Sequence, residues 1–357
     1  MAQEDVRRAH GYHALGVKRV VDETDDARSY VLDVPADLAD AFRYRAGQFC
    51  TFRVHLDGDE LLRSYSMSSA PEVDDDLTVT VKRVAGGRVS NWFNDHVAEG
   101  DVLELTRPAG VFCVRDNDRP VLAFCGGSGV TPIISVAKSL LTTTQRPVRL
   151  LYANRDRGSV IFDAELDRLQ REHPGRLEVR HHFDSDGGFL EPAMVEAFAS
   201  GSIDSDIYIC GPGPFMDLVE RTLLGVGVHV DQILIERFVN DGLPADLSAP
   251  ADAAGGEGAD ADADVPSQVT VILKGQSTEI VYQPGDTLLQ TARRGGLQPP
   301  FSCEAGNCAT CMGLLQEGTA TMRTNNALTP EEVEEGWVLT CQAVPHGATV
   351  TVEYESF

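Results

Sequence analysis

Four cysteines near the carboxyl end of the chain constrain its fold more than any other feature. Cys303, Cys308 and Cys311 lie within nine residues, and 29 residues separate Cys311 from Cys341. The chain must therefore fold back so that a distant segment meets one short loop. That loop contains small residues, and Gly306 is free to adopt a positive φ, so the backbone can wrap closely around a bound group. The spacing predicts a metal centre with thiolate ligands.

The spacing also favours iron over zinc. Three cysteines separated by four and two residues, with a fourth far along the chain, form the ligand pattern of plant-type [2Fe–2S] sites. Structural zinc prefers two short pairs or histidines, and here only one short pair exists. We expect Cys303, Cys308, Cys311 and Cys341 to bind a [2Fe–2S] cluster whose potential is set by the thiolates and by nearby N–H donors. A zinc site and four unrelated thiols are the alternatives.

Hydropathy and the amino-terminal segment predict a protein that does not span a membrane. No apolar run approaches the roughly 18 residues that a span needs. The first residues, MAQEDVRR, lack the charged-then-apolar order of a secretory signal. We therefore expect a cytoplasmic location in which the eight cysteines stay reduced. In that setting a cysteine cluster favours a metal or redox role over structural disulfides.

The charge balance argues against nucleic acid as a partner. The sequence has 55 acidic and 30 basic side chains, a formal net charge of −25 and a pI near 4.6. Such a field repels nucleic acid phosphates and anionic lipid, so we expect neither as a partner. It favours a protein partner with a basic docking patch. Genome composition, or adaptation to salt, explains the same imbalance equally well.

One segment separates the chain into two unequal parts. The sequence from Ala245 to Pro266, ADLSAPADAAGGEGADADADVP, has no aromatic or basic residue and is too polar to form a core. It is typical of a flexible, self-repelling linker. A chain of 357 residues is expected to hold two or three domains. We predict domains at 1–115, 116–244 and 267–357, with the linker at 245–266.

Hydropathy patterns predict the fold class of each domain. Before residue 115, short alternating apolar stretches predict antiparallel strands that form a barrel. From Pro120, buried apolar strands alternate with helical stretches over 131–141 and 162–171, which predicts a parallel sheet. The last domain is predicted to be mostly β, with a hairpin at Gly275. The predicted strands are Arg28–Val34, Gln48–Val54, Leu77–Arg83, Val102–Leu105, Val121–Cys125, Val148–Ala153, Leu177–His182, Ile207–Cys210, Val269–Leu273, Thr278–Tyr282 and Val350–Tyr354.

The sequence TPEE predicts the start of a helix in the last domain. Thr329 suits the N-cap, the proline suits the first turn, and Glu332 completes a capping box. Glu331, Glu332, Glu334 and Glu335 are then expected to form a solvated helix surface. Docking of a partner on these acids is the alternative.

A four-residue motif in the first domain points to a flavin. The sequence RSYS at 63–66 resembles the Arg-x-Tyr-Ser motif of ferredoxin reductase-like domains. The resemblance implies that Arg63 binds the flavin phosphate, for which a planar guanidinium is suited. It also implies that Tyr65 packs on the flavin or its ribityl chain and that Ser66 hydrogen-bonds the isoalloxazine.

The segment KRVAGGRVSNW, which begins at Lys82, adds a phosphate site. It predicts a strand, a glycine turn and a helix capped by Ser90, whose first N–H groups suit a pyrophosphate. We expect Lys82, Gly87, Val89 and Ser90 to bind the cofactor. A pyrophosphate site favours FAD over FMN, which stays the alternative because relatives with FMN share the RSYS motif.

Two glycine motifs point to a nicotinamide nucleotide. The strand Val121–Cys125 runs into GGSGVTP and a helical stretch, an arrangement that cradles pyrophosphate with backbone amides. This sequence resembles the G-G-x-G-[IV]-[TA]-P motif of the same reductases, and CGPGPFM resembles their second nucleotide motif. The resemblance places Cys210 near the nicotinamide, whereas Cys125 is expected to be a small buried apolar residue. The residues expected to bind the nucleotide are Gly127, Ser128, Gly129, Thr131, Cys210 and Gly211.

Two positions leave details of the site open. An acid after the next strand favours the ribose diol of NADH, an arginine favours the 2′-phosphate of NADPH, and NRDR at 154–157 offers both. The family resemblance favours NADH, and Arg155 is an expected ligand. In similar reductases an acid and an aromatic such as Glu236 and Phe238 face the flavin; a last strand with its packing residue is the alternative. Ser66, Cys210, Glu236 and Phe238 are the expected catalytic residues.

Nearly the whole chain resembles the flavin-containing reductases that carry a C-terminal plant-type ferredoxin domain. The resemblance implies a flavin-binding β-barrel, a parallel-sheet nucleotide-binding domain and a β-grasp ferredoxin domain. It implies an NAD(P)H-dependent oxidoreductase that passes electrons from NADH through FAD and [2Fe–2S], one at a time, to an oxygenase component. The linker would then let the ferredoxin domain move between flavin and partner.

Within this family of reductases, three parts of the sequence indicate a particular group: the cysteine loop, MR at 322–323 and WVLTCQ at 337–342. They are most similar to the reductase components of 3-ketosteroid 9α-hydroxylases, which are Rieske-type systems. The reductase of phenylacetyl-CoA epoxidation, or of another di-iron oxygenase, is the second candidate. A candidate of another class is a flavin-nucleotide binding protein with a zinc-stabilised interaction module, which would pass no electrons beyond the flavin.

Overall fold

The computed structural model describes residues 11–238, 265–301 and 303–354. They fall into two compact units, an N-terminal unit over 13–239 and a C-terminal unit that contains the described residues from 265 onward. Most of the predicted linker, residues 245–264, lies outside the described residues. Across the described ranges, no helix combines the length and the apolar character that crossing a membrane demands.

The N-terminal unit begins with an antiparallel sheet of six strands in the order β4-β3-β6-β1-β2-β5. A bridge between Met67 and Val79 joins the two edge strands, so the sheet closes. The barrel prediction is therefore confirmed. The strands are β1 His13–Thr24, β2 Ala27–Asp33, β3 Phe49–Leu56, β4 Asp59–Ser66, β5 Leu77–Lys82 and β6 Val102–Leu105.

Helix α1, Arg88–His96, packs against the barrel core. Its fully buried Phe93 makes edge-on contacts with Tyr30 and Tyr65 at ring distances of 5.2 and 5.3 Å. The prediction that Ser90 caps this helix is wrong, because the N-cap is Gly87, three residues earlier, and the helix starts at Arg88. The Ser90 hydroxyl instead accepts a hydrogen bond from the Val84 amide at 3.2 Å, which ties the helix to the preceding turn.

The second half of the N-terminal unit is a parallel sheet of five strands in the order β11-β10-β7-β8-β9. Every residue of the central strand β7 is buried, as its continuous apolar sequence predicts. The strands are β7 Val121–Gly126, β8 Val148–Asn154, β9 Leu177–Phe183, β10 Asp206–Cys210 and β11 Ile233–Glu236. The helices are α2 Val130–Thr143, α3 Asp163–Glu172, α4 Asp184–Gly187, α5 Pro192–Ala199 and α6 Gly213–Gly225.

The barrel and the parallel sheet pack on each other through buried contacts. The Ser135 hydroxyl on α2 donates to the Ser69 carbonyl at 2.6 Å and accepts from the Gly47 amide at 3.2 Å. A Cβ atom on Gly47 would lie 2.0 Å from the Phe112 carbonyl oxygen, so this approach requires glycine. The Phe112 ring also meets Tyr208 of β10 edge-on at 5.2 Å.

A buried ion pair holds the amino edge of the parallel sheet. The Arg146 guanidinium lies 2.6 Å from the Asp206 carboxylate, and both side chains are almost fully buried. Arg146 also donates to the Arg115 carbonyl, and the Asn117 side chain donates to Asp206. The pair thereby fixes the segment that enters β7 to the first residue of β10.

We expect Asp206→Asn to lower the free energy of unfolding by about 3 kcal/mol, because it leaves a buried guanidinium without a counter-charge. Urea unfolding followed by circular dichroism measures this change. The exposed neighbour offers a matched control, and Asp204→Asn should shift the stability by less than about 0.5 kcal/mol. Equal midpoints for the two variants would contradict the role given to the ion pair.

The C-terminal unit is a mixed sheet in the order β13-β12-β16-β14-β15, in which β12 and β16 are parallel neighbours. The predicted hairpin is confirmed: Lys274 and Gly275 both have positive φ, as a two-residue primed turn requires. The strands are β12 Gln268–Leu273, β13 Gln276–Val281, β14 Met312–Met322, β15 Trp337–Leu339 and β16 Ala343–Tyr354, and the helices are α7 Leu288–Arg294 and α8 Pro330–Glu334.

The capping box at the start of α8 forms as predicted. The Thr329 hydroxyl accepts from the Glu332 amide, and the Glu332 carboxylate accepts from the Thr329 amide at 2.8 Å. The expectation that all four acids are solvated is wrong for Glu332, which is only 1% exposed because its carboxylate is turned back onto the cap. Glu331, Glu334 and Glu335 are exposed.

Candidate functional site

The four predicted ligand cysteines come together in the C-terminal unit as two pairs. Cys303 lies beside Cys308 and Cys311 lies beside Cys341, so in each pair the two thiols shift each other's pKa. Hydrogen bonding from Cys308 lowers the pKa of the Cys303 thiol to about 6. The Cys311 thiol likewise lowers the pKa of Cys341. Each pair therefore favours one thiolate before any metal binds.

This pairing fits two metal atoms better than one. A [2Fe–2S] cluster takes two thiolates on each iron, whereas structural zinc takes four ligands around one point. N–H donors also face the sulfurs, from the Asn307 amide to Cys303 at 3.4 Å and from the Gln342 side chain to Cys341 at 3.7 Å.

Unusual backbone angles bend the loop at 303–311, which we call the cluster loop. Glu304, Gly306 and Ala309 all have positive φ. A Cβ atom on Gly306 would lie 2.7 Å from the Thr324 carbonyl oxygen, so the loop and its neighbouring segment approach too closely for any side chain. The sequence-based expectation for Gly306 is thus confirmed, with a second reason for glycine that only the fold shows.

Side chains outside the cysteine motif hold the cluster loop in place. Arg293, in the last turn of α7, makes two hydrogen bonds to the Glu304 carboxylate at 2.8 and 2.9 Å. Its guanidinium lies 3.8 Å from the centroid of the Phe301 ring. The Gln342 side chain donates to the Glu304 carbonyl at 2.8 Å. Sequence reasoning missed these anchors, since nothing local pairs Arg293 with a residue eleven positions away.

Gly306→Ala should reduce the cluster content of the purified protein, because alanine meets both an unfavourable φ and the Thr324 carbonyl. Iron and acid-labile sulfide per chain are the quantities to measure. Gly347→Ala is the control: Gly347 also has a positive φ, with open space around it. The free energy of unfolding of that variant should fall by only about 1 kcal/mol, which is the cost of a positive φ for alanine, and the variant should keep its cluster. Equal cluster loss in both variants would show that the close approach is unimportant.

The predicted flavin motif lies at the end of β4. Arg63 and Tyr65 share one face of the strand, and Ser66 lies on the other. Tyr65 packs against Phe52 and Phe93 with ring distances of 5.7 and 5.3 Å. Burial raises the pKa of the Tyr65 phenol and lowers the pKa of Arg63. Arg63 is a partly desolvated cation, which is well suited to bind a phosphate.

The structure brings Ser66 to the end of the parallel sheet. Its hydroxyl donates to the Glu236 carboxylate at 2.7 Å, across 170 residues of sequence. Glu236 is the register partner of Cys210, which in turn pairs with Cys125 on β7. Both cysteines are fully buried, and burial raises the pKa of each thiol well above its usual range. Phe238 is half-buried against the core of the sheet.

The two glycine motifs touch through their backbones. Residues Gly126–Gly129, which we call the glycine-rich loop, lead from β7 into α2. A Cβ atom on Gly129 would lie 2.2 Å from the Cys210 carbonyl oxygen, and one on Gly211 would lie 2.9 Å from the Gly126 amide nitrogen. These glycines are therefore required by packing. The Thr131 hydroxyl donates to the Ser128 carbonyl at 3.0 Å and so stabilises the turn itself.

Lys82, the last residue of β5, approaches the glycine-rich loop from the barrel. The Lys82 ammonium lies 3.5 Å from the position of a Cβ atom on Gly127. Burial lowers the pKa of Lys82, and Arg155 lies close enough to contribute to this shift. The side chain of Val89 is fully buried in the barrel core, so only its backbone is available to a ligand.

Ser66→Ala should slow the reduction of bound flavin by NADH about tenfold, which is the effect of losing one hydrogen bond to a carboxylate. Stopped-flow absorbance gives this rate. Flavin content should stay near that of the unmodified protein. Ser68→Ala is the matched control, because the Ser68 hydroxyl bonds Thr80 within the barrel. Unchanged reduction in Ser66→Ala would exclude Ser66 from the site.

Three family models match consecutive segments of the chain. An oxidoreductase FAD-binding domain matches residues 15–113, an oxidoreductase NAD-binding domain matches 124–221, and a 2Fe-2S iron-sulfur cluster binding domain matches 271–346. The barrel, the parallel sheet and the cysteine site thus define an oxidoreductase that uses FAD, a [2Fe–2S] cluster and NADH.

Comparison with complete relatives narrows this class. The chain is 40% identical to the 3-ketosteroid-9-alpha-monooxygenase ferredoxin reductase component of Rhodococcus rhodochrous, over 95% of this chain and 96% of that protein. It is 32% identical to a component of the 1,2-phenylacetyl-CoA epoxidase of Escherichia coli strain K12, over 97% of this chain and 98% of that protein. The chain therefore belongs to the family of electron-transferring reductase components of multicomponent monooxygenases.

A solved structure shows the same architecture. Phthalate dioxygenase reductase, described as a modular structure for electron transfer from pyridine nucleotides to [2Fe–2S], superposes with a TM-score of 0.59 at 25% identity. The match covers 98% of this chain and 99% of that one. It includes the antiparallel barrel, the parallel sheet and the C-terminal mixed sheet, so the predicted fold class is confirmed.

Proposed function

We propose that this chain is the reductase of a 3-ketosteroid 9α-hydroxylase and that it supplies electrons from NADH to the terminal oxygenase of that system. The observation that carries the proposal is the 40% identity, over almost the full length of both chains, with a reductase component of that name. The phenylacetyl-CoA epoxidase component, which represents the second candidate, shares 32%.

Each bound group supplies one part of the chemistry: NADH is a two-electron donor, FAD exchanges electrons in pairs or singly, and the [2Fe–2S] cluster carries one at a time. The chain supplies binding, orientation and exclusion of water. The Ser66–Glu236 hydrogen bond supports the proposal that the flavin and nicotinamide sites adjoin, since it joins the flavin motif to the strand next to Cys210. In this proposal Ser66 positions the flavin, Glu236 holds Ser66, and the neutral Cys210 borders the nicotinamide.

The other site residues act as binding groups in this proposal. The partly desolvated guanidinium of Arg63 takes the flavin phosphate, and Tyr65 covers the flavin or its ribityl chain. Phe238 borders the flavin from the end of the sheet. The pyrophosphate of FAD is bound by Lys82, Gly87, Val89 and Ser90. The nucleotide is bound by Gly127, Ser128, Gly129, Thr131, Gly211 and Arg155.

The proposed domains are 1–115, 116–244 and 267–357, joined by the acidic linker at 245–266. The three matched segments, 15–113, 124–221 and 271–346, lie within these limits and support them. The net charge of −25 supports a terminal oxygenase with a basic docking patch as the partner. The proposed location is the cytoplasm.

The purified chain should support NADH-driven 9α-hydroxylation when it is mixed with the oxygenase of a 3-ketosteroid 9α-hydroxylase. Product formation by mass spectrometry is the readout. Cys341→Ser should lose this activity and the electron paramagnetic resonance signal of the reduced cluster, while NADH still bleaches its flavin. Cys113→Ser is the control, because Cys113 is buried in the N-terminal unit and belongs to neither cysteine pair.

Two results would overturn the proposal. Efficient coupling to a phenylacetyl-CoA epoxidase but not to the steroid oxygenase would make the second candidate the function. Protein that contains zinc and no iron, and that passes no electrons beyond the flavin, would favour the flavin-nucleotide binding protein with a zinc-stabilised module.

A further inference from the structure

An acid on the barrel reaches the nucleotide-binding half of the N-terminal unit. Asp26 lies in the turn between β1 and β2, and its carboxylate accepts a hydrogen bond from the Arg155 guanidinium at 2.8 Å. The Lys82 ammonium lies 3.9 Å from the same oxygen. The other carboxylate oxygen accepts from the Thr24 hydroxyl at 2.9 Å. Asp26 is therefore held in one orientation between two cations.

The two cations flank the place where a nucleotide would lie. Arg155 follows β8 directly, at the carboxyl end of the strand next to β7. In sheets of this kind that position meets the adenosine ribose, and an arginine there accommodates the 2′-phosphate of NADPH. Lys82 approaches Gly127 of the glycine-rich loop. Without Asp26, Arg155 would present an uncompensated positive charge to a phosphate at this place.

Asp156, the acid that the sequence suggests for binding the ribose diol, has a different hydrogen-bond partner. Asp156 follows Arg155, and its carboxylate accepts from the Ser159 amide at 3.0 Å as the cap of a short 3₁₀ turn. Asp26 is the acid that contacts Arg155, from a position 129 residues earlier in the chain. A residue of the barrel thus supplies the carboxylate that contacts Arg155 beside the proposed ribose site.

We propose that Asp26 sets the preference for NADH over NADPH by occupying Arg155 and by repelling a 2′-phosphate. The inference rests on the proposed coenzyme site at the glycine-rich loop. Arg155 is otherwise available, because its side chain is 65% exposed. A dianionic phosphate that bound Arg155 would have to displace the carboxylate or lie next to it, and like charges at such distances repel. The uncharged 2′-hydroxyl of NADH meets no such repulsion.

The test compares Asp26→Asn with the unmodified protein in two assays. The first is the ratio of kcat/KM for NADPH to that for NADH, with ferricyanide as acceptor. The second is calorimetric binding of 2′,5′-ADP and of 5′-AMP, which involves no turnover. Asp26→Asn should raise the ratio of kcat/KM for NADPH to that for NADH about tenfold. It should lower the Kd for 2′,5′-ADP by a similar factor and leave the Kd for 5′-AMP unchanged.

Three further variants separate Asp26 from other causes. Asp25→Asn removes the same charge from an exposed neighbour and should change nothing. Asp26→Glu keeps the charge and should keep the NADH preference. Asp26→Asn with Arg155→Leu should lose the gain in 2′,5′-ADP affinity, because the guanidinium that binds the phosphate is gone.

Several outcomes would overturn the inference. The first is that Asp26→Asn and Asp25→Asn have equal effects. The second is that the Asp26→Glu variant prefers NADPH. The third is that the gain in 2′,5′-ADP affinity persists when Arg155 is replaced by leucine. Failure of the proposed function is distinguishable, since it would appear as a lack of oxygenase turnover in unmodified protein whatever the nucleotide affinities. If Asp26→Asn unfolds, Asp26→Ser removes the same charge and takes its place in both assays, with the same expected gain in 2′,5′-ADP affinity.

Discussion

The buried contact between the barrel and the parallel sheet is the constraint on which the N-terminal unit depends. Ser135 bonds to backbone groups of Ser69 and Gly47, and the Gly47 backbone lies against Phe112 with no room for a side chain. This packing leaves the two halves little freedom to slide, because buried polar groups must keep their partners. It places Ser66 against Glu236, and on another side it places Asp26 against Arg155.

The C-terminal unit holds four sulfurs as two pairs, with three on a loop of unfavourable backbone angles and the fourth on a distant segment. Strained residues persist only where the surrounding structure determines them. Here the determinants are the Arg293–Glu304 ion pair, the Gln342 side chain and the backbone contact of Gly306 with Thr324. The glycine permits the approach, and the hydrogen bonds keep the loop in it.

Sequence reasoning succeeded where the determinants are local. Four of the six barrel strands and four of the five strands of the parallel sheet match predicted hydropathy stretches, whereas β1, β4 and β11 are missing from the predicted set. The Thr329 capping box follows from a four-residue pattern. It failed at Ser90, because either Gly87 or Ser90 suits a cap and only tertiary packing against Val84 decides. It also failed at Glu332, where the same capping box that was predicted buries the carboxylate.

The other features that sequence reasoning did not predict are contacts between segments that are distant in the sequence. Arg293 with Glu304, and Asp26 with Arg155, are ion pairs that no local sequence pattern indicates. The glycine-rich loop shows the same limit in another form. Its motif was recognised as a phosphate site, yet the close approach of Gly129 to Cys210 shows that packing alone demands a glycine there. Gly129 thus suits both phosphate binding and close packing of the backbone, and the sequence motif alone does not show the second requirement.

The burial of the cysteines in the N-terminal unit has a consequence for chemical damage. Cys50, Cys113, Cys125 and Cys210 are buried, and burial raises the pKa of every one of these thiols, to about 11 for Cys113. Thiolates rather than thiols react with oxidants and alkylating agents, so these four cysteines are expected to be unreactive. Cys303 is the more accessible sulfur. Oxidative inactivation should therefore begin at the iron–sulfur module and leave the flavin-reducing half of the enzyme working.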